Sequence, residues 1–151
     1  MMANVITKST IFENGWQNIF DAISTIPDPE ERGEKWIYSA FPFNRFTDET
    51  AYPLIIIQPL NFSGTTQWTM GTSKTSNINF TVEINIYALE AIQIDSISDA
   101  IFDALEDSLT TLWTNKVKNI IPLRSSYSHF ERSGMKVHFK STVYGFEFDY
   151  S

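Results

Sequence analysis

Cysteine is absent from the 151-residue chain, and histidine occurs only twice. Without cysteine the chain cannot form a disulfide, a thiolate zinc site, an iron–sulfur cluster or a cysteine nucleophile. The two histidines, His129 and His138, form no H-x-x-x-H or H-E-x-x-H motif, and each is expected to be a lone surface histidine. We therefore expect neither a metal site nor a cofactor.

Basic side chains are too few for a broad nucleic-acid-binding face. Eleven Lys and Arg residues stand against 18 Asp and Glu residues, which gives a net charge of −7, whereas counterion release requires a basic excess. Long apolar runs are also missing: the longest, Leu54–Ile57, is far shorter than the ~20 residues of a membrane span. The opening MMANVITKST lacks the apolar segment of a secretory signal, so we expect synthesis in the cytoplasm without export by a cleaved signal.

The sequence motifs of common active sites are missing as well. The chain has no G-x-S-x-G, Walker or G-x-G-x-x-G sequence, and its glycines are scattered. Carboxylate pairs such as Glu30 with Glu34 lie in polar segments, where nothing predicts the burial that a catalytic carboxylate needs to shift its pKa. We expect the chain not to be an enzyme.

Two amphipathic helices are predicted. The first begins after Thr10, which forms a T-x-x-E capping box with Glu13, and its apolar stripe continues to the proline at Pro27. The second begins near Asp95. Its core stripe consists of Ile97, Ile101, Leu105, Leu109 and Leu112.

Asn77–Ala88 is the clearest strand, because its apolar residues recur at every second position. Four further strands are predicted at Trp36–Phe41, Leu54–Ile57, Val117–Leu123 and Lys136–Tyr150, with His129 in a turn before the last one. The apolar positions of the last strand change parity near Gly145, which predicts a β-bulge. Together these elements predict one α+β domain over residues 1–151, with a mostly antiparallel sheet covered on one face by two helices.

Candidate interface residues come from two segments that are unlike a core. Ser63–Ser76 is mostly Ser, Thr and Gly yet carries Trp68 and Met70, so it is either a floppy surface loop or a long protruding hairpin whose tip orders against a partner. A predicted loop at Pro42–Tyr52 is rich in aromatic residues. The candidates are Phe43, Arg45, Phe46, Trp68 and Met70.

The order and lengths of these elements resemble the tail terminator (tail-completion) proteins of tailed bacteriophages and related minor neck proteins. The resemblance is carried by the helix at Thr10–Ile26, the PLIIIQPL sequence at Pro53–Leu60, the strand and helix at Asn77–Leu109, and the closing strand at Lys136–Tyr150.

The resemblance implies a non-enzymatic virion protein of the tail or neck, assembled as a homohexameric ring. Such a ring stops growth of the tail tube, meets the tube protein below and the head–tail connector above, and passes the genome during ejection. The DNA would slide through without sequence-specific binding, and no membrane would be involved.

An acidic channel wall would repel DNA and let it slide, and the candidate channel-facing residues are Asp99, Asp103 and Glu106. Two other interpretations remain open. One is a different position in the neck, as a head–tail adaptor or stopper. The other is a small ligand-binding regulatory domain with a pocket between sheet and helices.

Overall fold

The structure is a computed structural model that describes residues 5–7, 9–40, 49–70 and 73–150. The side chains of residues 63, 65–70, 73–76 and 149–150 are not described. The helices are α1 (Ile11–Ile23), α2 (Ala91–Asp107) and α3 (Leu109–Thr114). The strands are β1 (Ile37–Tyr38), β2 (Leu54–Ile57), β3 (Asn61–Met70), β4 (Ser73–Ala88), β5 (Lys118–Arg132) and β6 (Met135–Tyr150).

The six strands form one open sheet in the order β1-β2-β4-β6-β5. β3 also pairs with β4, on the same side as β2 but further along the strand. Only the short β1–β2 pair is parallel, and the other four pairs are antiparallel. The predicted α+β class, with a mostly antiparallel sheet and helices over one face, is confirmed.

The main core lies between the helices and one face of the sheet. β4 contributes its alternate residues from Ile78 to Ile86, all of them buried, and α1 contributes Ile19 and Ile23, which are fully buried. The indole nitrogen of Trp16 donates a hydrogen bond to the Gln58 carbonyl at 3.1 Å, which fixes α1 against the end of β2. All four residues of β2 are buried, and this burial explains why the strand is apolar at every position.

A second, smaller cluster covers one end of the opposite sheet face. It contains Ala51, Tyr52, Leu54, Ile56 and Val137. This cluster explains the parity change in β6, because Val137 belongs to it, whereas Tyr144 and Phe146 belong to the main core on the other face. The predicted bulge at Gly145 is therefore wrong: β4 and β6 pair in continuous register, and the irregularities lie in β5 instead.

The first helix begins directly after Thr10, as predicted, but the predicted capping box is wrong. Thr10 precedes α1 without a side-chain cap, and its hydroxyl accepts a hydrogen bond from the Thr7 backbone N–H at 3.0 Å. The second helix begins at Ala91, one turn before the predicted Asp95, because buried Ile94 extends the apolar stripe upstream. Leu109, expected in the core, is half exposed after the helix breaks at Ser108.

Two long hairpins, β3–β4 and β5–β6, extend the sheet. The hairpin interpretation of Ser63–Ser76 is the one that the backbone adopts, since β3 and β4 pair as far as Met70 opposite Ser73. β5 continues to Arg132, so the expected turn around His129 is wrong. The actual turn is Ser133–Gly134, where both φ angles are positive, as a two-residue hairpin loop requires.

Candidate interaction surfaces

The outer strand β5 is the most exposed regular element. Only β6 pairs with it among the described strands, so its second edge presents backbone N–H and C=O groups to the surroundings. All residues from 121 to 129 are exposed, on both faces of the strand. Proteins generally cover or block long edge strands, because such edges pair readily with other chains.

Large apolar side chains lie along this edge strand. Ile121, Leu123 and Tyr127 are 54%, 50% and 51% exposed. Leu123 covers Gly145 of β6, where an added Cβ atom would lie only 2.8 Å from Leu123 Cδ1. The glycine thus allows Leu123 to lie flat on the sheet, and half of its surface remains available for contact.

The two histidines are direct neighbours in the β5–β6 hairpin. His129 lies opposite His138, with ring centroids 6.3 Å apart, and the Tyr127 hydroxyl hydrogen-bonds to His138 Nδ1. Burial lowers the pKa of His138 below 6.5, and the charges of Lys136 and His129 lower that pKa further. The expectation of two lone surface histidines is therefore wrong.

This pair does not assemble a metal centre of the usual kind. Across the described ranges, no group of three or more His, Cys, Asp or Glu side chains could hold a metal ion. A protein metal site normally takes at least three such ligands. The histidine pair is better described as part of the exposed hairpin surface.

A second apolar surface lies at the opposite edge of the sheet. Phe12 of α1 and Phe62 of β3 are 53% and 57% exposed. Both rings contact buried Phe80 edge-on, with centroid distances of 5.3 and 6.1 Å. Phe12 belongs to the apolar stripe of α1, and it extends the core onto the surface, beside β3.

A third exposed group surrounds α3. Trp113 is 57% exposed and Leu109 is 46% exposed. The Lys118 ammonium lies 5.0 Å from the centroid of the Trp113 ring, a cation–π contact that orients the indole. These residues join the helical layer to the start of β5.

The sequence-based interface candidates fall in two places. Phe43, Arg45 and Phe46 lie outside the described residues. Trp68 and Met70 belong to β3, whose backbone is described there without the side chains. Whether these five residues meet a partner stays a prediction.

The candidate channel residues share one exposed stripe. Asp99, Asp103 and Glu106 are all exposed on α2 and follow one another at helical spacing. Charge is distributed unevenly around them, because residues 83–107 carry seven carboxylates and no base. By contrast, residues 116–140 carry six of the eleven basic residues, namely Lys116, Lys118, Arg124, Arg132, Lys136 and Lys140.

An open cleft of about 390 Å³ is bordered by Glu30, Glu49 and Glu90. Arg32 occupies one wall, and its guanidinium donates hydrogen bonds to both Asp28 carboxylate oxygens at 2.8 and 3.1 Å. The same group also reaches the carbonyls of Thr50 and Pro53, at 3.0 and 2.7 Å. The arginine of this cleft thus has a structural function, since it ties two surface turns together.

Burial by itself would raise the pKa of Asp28. The hydrogen bond from Arg32 and those from the backbone N–H groups of Glu30 and Arg32 outweigh burial and hold this pKa below 3.8. The carboxylate is therefore charged in the folded protein near neutral pH.

No protein-family model and no curated protein matches the chain. Among solved structures, the chain is similar to one from the virion of a native gene transfer agent particle. The two share 12% sequence identity and a TM-score of 0.46, and the match covers 87% of this chain and 93% of that chain. This likeness is too low to show a shared family. No described helix is long and apolar enough to cross a membrane.

Proposed function

We propose that the chain is a structural subunit of a phage-like virion, and that it forms a tail-terminator ring at the end of the tail tube. The observation that carries the proposal is the pair of exposed surfaces at opposite edges of one sheet. Phe12 and Phe62 lie at the β3 edge, and Ile121, Leu123 and Tyr127 lie at the β5 edge.

Two different patches at opposite ends of a subunit suit head-to-tail contacts. Such heterologous contacts produce a closed ring when the rotation between neighbours closes. Exposed apolar patches of this kind mark contact surfaces in soluble proteins. The order of elements, which resembles that of tail terminators, makes the tail tube and the head–tail connector the proposed partners above and below the ring.

A purified tail-tube protein provides the direct test. Tubes assembled with the chain should stay short and carry a ring at one end in electron micrographs, whereas tubes assembled alone should grow long. Unchanged tube length would contradict a terminator. Binding to the connector side without an effect on tubes would instead favour the adaptor or stopper interpretation.

The β3–β4 hairpin supplies a variant for this assay. Deleting residues 65–74 removes the outer part of the hairpin but none of the buried β4 positions from Ile78 onward. We expect a folded protein that no longer caps tubes. Normal capping by this deletion variant would refute the role of the hairpin.

A further inference from the structure

We propose that the free edge of β5 pairs with β3 of a second copy of this chain, so that one sheet continues from subunit to subunit. This inference rests on the proposed ring and identifies the contact that would build it. The described part of the sheet offers three strands with a free edge, namely β1, β3 and β5. Their lengths are 2, 10 and 15 residues, so β1 is too short to hold a neighbour.

The half of β5 that is suited to pairing is its second half. The register of β5 with β6 is irregular between Lys118 and Arg124 and regular from Arg124 to Arg132. In the irregular half, Pro122 also lacks a backbone N–H donor. Within the regular half, the segment Arg124–Phe130 (RSSYSHF) contains neither lysine nor proline, two residues that commonly block the edges of sheets. This seven-residue segment is long enough to pair with most of the ten residues of β3.

Strand direction makes the β5–β3 contact antiparallel. β3, β4, β6 and β5 alternate in direction across the sheet, because each pairs antiparallel with the next. If the strands lie along the ring axis, rotation about that axis preserves their directions, so β5 of one copy meets an oppositely directed β3 of the following copy. Antiparallel pairing is the more stable arrangement for each residue.

Charge selects β3 over a second β5 as the partner. β5 carries Lys118, Arg124 and Arg132 but only one acid, Glu131, whereas β3 has no ionisable side chain. Two β5 strands paired around Ser128 would set Arg124 opposite Arg132, and like charges directly opposite one another destabilise a sheet. A basic strand also suits a neighbour whose net charge is −7.

Disulfide trapping tests the pairing, since the natural chain has no cysteine to interfere. One protein carries Ser126→Cys, and a panel carries a single cysteine at each position from Thr65 to Thr69. S126C is mixed with each panel protein in turn and mildly oxidised. Disulfide-linked dimers should form with the β3 position that lies opposite Ser126 and with the positions two residues away from it. No protein should dimerise alone. Dimers from S126C alone would show β5–β5 pairing. An absence of dimers across the whole panel would show that β5 and β3 do not meet. Either result overturns the inference.

A second variant blocks the edge without a cross-link. Ser126 and Ser128 are exposed, so Ser126→Lys with Ser128→Lys should leave thermal unfolding unchanged and weaken self-association at least tenfold in sedimentation. The matched control is Thr110→Lys with Thr111→Lys, which adds the same charge on the exposed side of α3. Equal association by both double variants would contradict edge pairing.

The tube assay separates this inference from the proposed function. If rings cap tubes while the β5–β3 cross-link is absent, the edge contact is wrong and the terminator function stands. If the cross-link forms but tubes are not capped, the contact is correct and the terminator function is wrong.

Discussion

β4 and β5 are strands of nearly equal length in one sheet, yet their surroundings are opposite. β4 has strands on both sides and helices over one face, and its alternate residues from Ile78 to Ile86 are buried. β5 pairs only with β6 among the described strands and is exposed throughout residues 121–129. β4 therefore organises the core, whereas residues 121–129 of β5 bury little apolar surface in one subunit and offer a surface for contact.

The largest expected effect is a direct test of this contrast. Ile84→Ala should lower the free energy of unfolding by about 2–5 kcal/mol, because it removes fully buried methyl and methylene groups from the core. Ile121→Ala makes the same chemical change at a residue that is 54% exposed and should cost less than about 1 kcal/mol. Urea unfolding measures both, and equal losses would break the comparison between the two strands.

An intermediate effect is expected at Arg32, whose hydrogen bonds tie two surface turns together. Arg32→Ala removes the paired bonds to Asp28 and the bonds to two carbonyls, and it should cost about 1–3 kcal/mol. Arg32→Lys retains the charge without the forked geometry and should recover only part of this loss. Full recovery by lysine would show that charge alone matters there.

The same contact has a pH signature. Since the pKa of Asp28 is depressed in the folded protein, its stabilising contribution is present above 3.8, the ordinary value, and is lost as the pH falls through the lower folded pKa. The stability difference between the natural chain and R32A should therefore shrink below pH 3.8. A difference that is constant down to pH 2 would contradict the ion pair as its source.

A small effect is expected where Leu123 of β5 covers Gly145 of β6. Gly145→Ala would place its methyl group 2.8 Å from Leu123 Cδ1, at the end of a half-exposed and adaptable side chain, so we expect a loss of about 1 kcal/mol. Adding Leu123→Ala should abolish the penalty of G145A in a double-mutant cycle. Strict additivity of the two changes would show that the contact does not limit this site.

Periodicity predicted the core better than the surface. The burial of alternate β4 residues followed from apolar spacing, because burial is what selects that spacing. The histidine pair was missed, although a signal for it exists. Ser133–Gly134 is a two-residue turn, and counting outward from it along both strands brings His129 opposite His138.

The parity change in β6 was interpreted as a bulge because one core face was assumed. The second cluster around Tyr52 lies on the other face and takes Val137, so a regular strand can place apolar residues on alternate sides along its length. Sequence patterns report which residues avoid water but not which of two surfaces covers them.

The sequence by itself determined the α+β class, the apolar stripe of α1 and the buried faces of β2 and β4, because these depend on local periodicity and on the removal of apolar side chains from water. Only the tertiary structure decided that β5 lies at an edge, that β3 and β5 lie on opposite sides of the β4–β6 pair, and that the two histidines meet. Strand order depends on contacts between residues far apart in the chain, and short-range patterns do not encode those contacts.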